Sequence, residues 1–162
     1  RPLTMPAALN NTITLSRQLY TPDGKAYSGD HLQSGSSLIV QVKVESPTPI
    51  ANTLVVDHIP AGLEIENLNI VKGEGMGQLM IGDLNVAEIM ADDRILHQEF
   101  REDRYVAALN LRKSQDLFYR VRVVTPGRYT WPTLYAEDMY RPAINGLFTG
   151  GGSITVVDGA MR

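Results

Sequence analysis

Leu117-Phe118-Tyr119-Arg120-Val121-Arg122-Val123-Val124-Thr125-Pro126-Gly127-Arg128-Tyr129-Thr130-Trp131-Pro132 decides how this chain folds. In an extended chain successive side chains point to opposite faces, so Leu117, Tyr119, Val121 and Val123 share one side. Arg120 and Arg122 take the other, which is expected to be solvated. Pro126-Gly127 then reverses the chain, because proline presets its own φ and glycine accepts positive φ without a steric penalty. A second, aromatic strand is expected over 128–135. Directly beyond it, Glu137-Asp138-Met139-Tyr140-Arg141-Pro142 reads as a loop presenting an apolar and cationic tip. Pro142 biases Arg141 towards an extended conformation that ends the ladder. Nothing in this stretch is arranged for catalysis.

The same alternation recurs along the chain. Leu38, Val40, Val42 and Val44 share a face, as do Tyr105, Ala107, Leu109 and Leu111. Further strands are expected over 12–20, 53–59, 63–70, 94–101 and 153–157. With 38–45, 105–111, 117–123 and 128–135 these make nine, which predicts an all-β antiparallel sandwich. Thr21-Pro22-Asp23-Gly24-Lys25 and Asn145-Gly146 supply turn signals, and Ser46-Pro47-Thr48-Pro49 cannot continue a ladder. One segment departs from period two. Val86, Ile89 and Met90 follow helical spacing, so a short helix is expected near 83–91 with Asp83 as a candidate N-cap. Residues 72–78 read as a glycine-rich connector, since no nucleotide fingerprint fits their spacing. Residues 1–11 read as a linker from a preceding domain, 12–158 as one sandwich domain and 159–162 as a tail.

Composition narrows the function classes. Net charge is −3 with both signs scattered, so no basic stripe is available to neutralise phosphates, and nucleic acid is not an expected partner. No apolar run reaches the ~18 residues that a membrane-spanning helix needs. The chain lacks cysteine, and His31, His58 and His97 stand in separate segments without zinc-ligand spacing. Asp92-Asp93 belongs to no calcium-loop motif, and Glu64 and Glu66 read as a solvated strand face. Ser34, Ser36 and Ser37 belong to a turn rather than a nucleophile elbow. The expectation is a metal-free, cofactor-free, monomeric module that is not an enzyme.

Several motifs taken together resemble a known family. They are Ser16-Arg17-Gln18-Leu19-Tyr20 with Pro22-Asp23-Gly24, and Asp57-His58-Ile59-Pro60-Ala61-Gly62-Leu63-Glu64-Ile65-Glu66-Asn67. Phe100-Arg101-Glu102-Asp103-Arg104-Tyr105-Val106-Ala107-Ala108, Tyr119-Arg120-Val121-Arg122-Val123-Val124-Thr125-Pro126-Gly127 and Glu137-Asp138-Met139-Tyr140-Arg141-Pro142 complete the set. The succession resembles the C-terminal macroglobulin-like, receptor-binding-type domain of bacterial α2-macroglobulins. That resemblance implies a β-sandwich at the end of a large periplasmic lipoprotein that traps proteases, tethered to the inner membrane through its N-terminus. It also implies that the loop matching Met139, Tyr140 and Arg141 docks on a neighbouring domain. In thioester-bearing members this shields the thioester bond from water, while other members lack the thioester. The implied partners are neighbouring domains of the parent chain, target proteases through the parent, and peptidoglycan-synthesis or other envelope proteins.

The residues alone leave two readings of the tip. Met is polarizable and adapts to irregular surfaces, and Tyr combines apolar area with a hydrogen-bonding end, which suits a partner surface. Equally, Met139 and Tyr140 could plug the end of their own sandwich. Two other functions also remain open. One is a generic envelope adhesin or structural sandwich. The other is a carbohydrate-binding module using Tyr129, Trp131 and Tyr135, which requires those rings to be exposed.

Overall fold

Alternation in the sequence becomes two facing sheets in the structure, a computed structural model that describes residues 12–27, 31–66, 79–149 and 152–158. In chain order the first elements are β1 (Thr14–Tyr20), β2 (His31–Gln33), β3 (Ser37–Glu45), β4 (Ile50–His58), β5 (Leu63–Glu66), β6 (Met80–Ile81) and β7 (Leu84–Asn85). Helix α1 (Val86–Met90) follows, then β8 (Ile95–Phe100), β9 (Arg104–Leu111), β10 (Ser114–Val123) and β11 (Gly127–Thr130). The described residues end with β12 (Leu134–Asp138), β13 (Arg141–Phe148) and β14 (Ser153–Val157).

A five-stranded antiparallel sheet runs β13-β12-β4-β9-β8 and a four-stranded one runs β1-β3-β10-β5. A smaller sheet, β11-β14-β2, contains the parallel pair β14–β2. The two large sheets bury their period-two faces against each other. Val40, Val42 and Val44 of β3 meet Leu117, Tyr119, Val121 and Val123 of β10 in one cluster with Val55, Tyr105, Ala107, Leu109 and Leu134. The sandwich expected from alternation is therefore the fold, with fourteen strands among the described residues rather than nine.

The differences have local causes. The aromatic strand expected over 128–135 is two strands in different sheets, because Trp131-Pro132-Thr133 interrupts it. Proline has no N–H to give a ladder, so the chain changes sheets there. Asn145-Gly146 is not a turn. Both residues lie within β13, where Gly146 faces Ala136 and Asn145 faces Glu137. Nor does Pro142 end the ladder: Arg141 pairs with Asp138, and 142–144 form an irregular segment before pairing resumes at Asn145. A bulge on the outermost strand absorbs a proline that a central strand would reject.

The helix stands where its spacing placed it, but its cap is Asn85, whose side chain accepts from the Glu88 amide at 3.0 Å, rather than Asp83. It has a packing role that alternation did not reveal. Ile39 and Phe118 point away from the main core, yet both are fully buried, beneath a second cluster with Leu79, Ile81 and Val86. Helix α1 and the β6–β7 ribbon roof this face of the four-stranded sheet. Phe118 donates its amide to the Met90 sulfur at 3.2 Å. On the same face Arg120 pairs with Glu66 at 2.8 Å, so the face expected to be solvated is partly covered. The 21–25 turn has the expected form, closed by Gly24 N to Thr21 O at 2.9 Å with Gly24 at φ +95°. The readings of 1–11, 67–70, 72–78 and 159–162 lie outside the described residues.

Candidate docking site

Asp138 organises the tip. It is the last inward-facing residue of β12 and is 4% exposed. One carboxylate oxygen accepts from the Tyr140 amide at 2.9 Å and the other from Arg141 Nε at 3.2 Å. These bonds close a two-residue reversal in which an aspartate substitutes for a backbone acceptor. Met139 donates its own amide to Asn52 O at 2.9 Å, which fastens the reversal to β4. Both tip amides are thus held from below, and the side chains of Met139 and Tyr140 project outwards, 38% and 78% exposed. The Arg141 side chain is 69% exposed. In this domain, then, Met139 and Tyr140 are not plugs of their own sandwich.

The opposite end of β12 is anchored by a buried ionic cluster. Arg17 on β1 keeps register with Leu15 and Leu19, so its side chain is directed inwards. Asp57 on β4 does the same with Thr53 and Val55. Arg17 donates to Asp57 through Nη2 at 2.5 Å and Nε at 3.2 Å, with side chains only 3% and 0% exposed. Tyr119 of β10 gives Asp57 a further hydrogen bond at 2.5 Å. Arg17 Nη2 also donates to Pro132 O at 3.0 Å, where the chain turns into β12. The guanidinium carbon lies 5.1 Å from the Trp131 ring centre and 5.7 Å from that of Phe148, within cation–π range. Tyr105 stacks on Tyr119 at 4.7 Å and donates to Gln98 at 2.7 Å. Residues from both large sheets thus satisfy one buried charge pair, which fixes their relative placement and the start of the tip-bearing strand.

Burial, reinforced by the Asp57 charge, pushes the Tyr105 and Tyr119 hydroxyls well above their ordinary pKa of 10.0. A tyrosine whose folded pKa is raised stabilises the fold fully below the unfolded value and loses that contribution as pH climbs towards the folded one. Above pH 10, each of the two should therefore remove about 1.4 kcal/mol of stability per pH unit. Tyrosinate absorbance recorded alongside unfolding should show these two ionising only as the domain unfolds. Ionisation of all seven tyrosines near pH 10 with the fold intact would contradict the burial argument.

The other sequence candidates do not come together. Trp131 is 4% exposed and packs in the core, so it offers no sugar-stacking surface. Tyr129 is half-buried, its hydroxyl bonded to Thr125 O at 3.0 Å. His97 pairs with Glu99 at 3.0 Å on β8, and Asp92 accepts the Arg94 amide in a turn at 2.9 Å. Among the described residues no group of three His, Cys, Asp or Glu side chains could hold a metal ion. Sequence reasoning missed the Arg17–Asp57 cluster, although a charge in the buried register of each strand was its signal.

A two-layer antiparallel sandwich with one short helix among its described residues and an exposed β12–β13 tip defines a macroglobulin-like, immunoglobulin-type β-domain. The chain belongs to the bacterial alpha-2-macroglobulin MG10 domain family, whose model matches residues 13–143. It is 40% identical over 147 residues to the alpha-2-macroglobulin of Xylella fastidiosa strain Temecula1, covering 90% of this chain and 9% of that protein. The crystal structure of native Escherichia coli alpha-2-macroglobulin from domain MG7 to the C-terminus superposes with a TM-score of 0.80 at 34% identity, over 91% of this chain and 24% of that one. Salmonella alpha-2-macroglobulin reacted with methylamine gives 0.77 at 32% identity, over 91% of this chain and 9% of that one. The chain thus spans about a tenth of the length of the full-length relatives it matches.

Proposed function

We propose that this domain is a non-enzymatic docking module of a protease-trapping alpha-2-macroglobulin of the bacterial periplasm, whose parent chain is held at the inner membrane by an N-terminal lipid. Its task is to set Met139 and Tyr140 against a neighbouring domain and keep water from the surface beneath. In a thioester-bearing parent that surface holds the thioester. The observation that carries this reading is the combination at the tip: large apolar side chains left exposed on a backbone that Asp138 and Asn52 hold in place. Exposed apolar groups on a rigid support lose little conformational entropy on docking, so more of their burial is retained as affinity. Arg141 sits at the rim, where its exposed charge contributes about 1 kcal/mol or less. The Salmonella relative's reaction with methylamine supports the view that parents of this kind carry a nucleophile-sensitive group.

A photo-crosslinking residue in place of Tyr140 in the intact parent tests the proposal. The expected product is an intrachain crosslink to a neighbouring domain, lost after a protease activates the parent. Crosslinks confined to this domain itself would refute it.

A further inference from the structure

In an antiparallel ladder alternate residues bond the same neighbouring strand. Val123 gives its amide to Ser36 O on the β3 side, so Phe118, an odd number of residues earlier, directs its amide to the other edge of β10. There β5 pairs only over 120–123, and among the described residues no strand reaches Phe118. The Met90 sulfur takes that amide instead, at 3.2 Å. Met90 is the last residue of α1, so this bond attaches the roof of the four-stranded sheet to the β10 edge. Elsewhere the roof rests on the 21–25 turn, where only glycine fits at position 24 because a Cβ would run into the Met80 carbonyl. A thioether is a weak hydrogen-bond acceptor. It is also readily oxidised, and this chain has no cysteine to react ahead of it. Met90 is half-buried and Ala91 beside it is exposed, which puts the sulfur within reach of a small oxidant.

We propose that Met90 is a modification site, oxidised to the sulfoxide by oxidants of the peroxide class, and that its oxidation releases the roof from the sheet. A sulfur lone pair attacks one peroxide oxygen, the O–O bond breaks and an S–O bond forms. The proton on the transferred oxygen passes to the departing hydroxide, which leaves as water. Sulfur loses two electrons and the peroxide gains them. The oxidised sulfur is a poorer acceptor, so the Phe118 amide loses its partner. The new oxygen cannot take that amide without displacing α1, since the sulfur already stands at bonding distance from it. Its polarity is also misplaced beside Ile39, Val86 and Phe118, all buried and apolar. Helix α1 and the β6–β7 ribbon therefore lift, uncovering Ile39 and Phe118. Methionine sulfoxide is enzymatically reducible, so the change is reversible. Neither the tip nor its partner enters this inference.

The intact parent is treated with hydrogen peroxide, and peptide mass spectrometry follows each methionine. Met80, on β6 and 45% exposed, is the reference for an accessible thioether. Amide hydrogen exchange is then measured over 86–90 and 114–123, with the β4 and β9 peptides as controls. The expected result is sulfoxide at Met90 and exchange at both segments faster by at least about fivefold, with β4 and β9 unchanged. Methionine sulfoxide reductases should restore the original exchange. Met80→Leu, which keeps the Met90 sulfur, should respond to peroxide as the unsubstituted parent does. Met90→Leu, which keeps the apolar volume without the sulfur, should not respond. Three results overturn the proposal: Met90 unoxidised when Met80 is fully converted, sulfoxide at Met90 with exchange unchanged, or the same acceleration in Met90→Leu. Because reductase reversal is read on the unsubstituted parent, the test stands even if the Met90→Leu variant folds poorly.

Discussion

Asp57→Asn is expected to destabilise the domain by about 3–5 kcal/mol, a large share of the 5–15 kcal/mol typical of a whole domain. The cause is less the loss of attraction than the state of Arg17 afterwards. Its side chain is 3% exposed, so putting a neutral amide in place of its Asp57 counter-charge weakens the stabilisation of a buried cation. Tyr119 would meanwhile keep a buried hydroxyl bonded to a weaker, neutral acceptor. The partner prediction separates this cause from simple loss of packing. Replacing the whole set together, by Arg17→Met, Asp57→Leu and Tyr119→Phe, removes both the charges and the orphaned donors. It should recover most of the loss, because a buried ion pair is roughly neutral against an apolar set of similar volume. Denaturant unfolding of the single and triple variants decides it. A single-variant cost below about 1 kcal/mol would mean that water or rearrangement relieves Arg17, and that the cluster is not the tie between the sheets.

Met139→Ala with Tyr140→Ala should act on a different quantity. Tyr140 is 78% exposed and Met139 38%, so truncation within the domain should change its stability by no more than about 0.5 kcal/mol each. In the parent the same truncation removes two apolar anchors from an interface, which should weaken docking by about 2–5 kcal/mol in total. Arg141→Ala should cost less, since its guanidinium is held at an exposed rim. The split between an intact fold and a loosened interface is the signature of a docking residue. A core residue would give the reverse.

Much of this was legible from the residues, and the exceptions share a cause. Period-two alternation located β3, β9, β10 and β14 because each has one face on a common core. It could not anticipate that Phe118 and Ile39, on the nominally wet face, would be buried under α1, since that depends on where a distant segment lands. Arg17 and Asp57 stood in the buried register of their strands, and each in isolation reads as a violation of the pattern. Only the meeting of two sheets, 40 residues apart in sequence, turns two violations into one satisfied pair. β13 was hidden for the opposite reason. Pro142 and Asn145-Gly146 are strong local breakers, and an edge-strand bulge tolerates what local chemistry forbids. At the tip, Met139, Tyr140 and Arg141 were identifiable by residue type, but their exposure depended on Asp138 turning inwards to hold the reversal.

The central claim, that the tip covers a neighbouring domain's sensitive surface, is tested most directly in an intact thioester-bearing parent carrying Met139→Ala and Tyr140→Ala. Methylamine incorporation is measured before any protease is added, alongside the unfolding midpoint of this domain. The account predicts incorporation without proteolysis and an unfolding midpoint close to that of the unsubstituted protein. Incorporation that still requires proteolysis, in a protein whose domain has nevertheless lost stability, would contradict it and return both side chains to the role of ordinary packing.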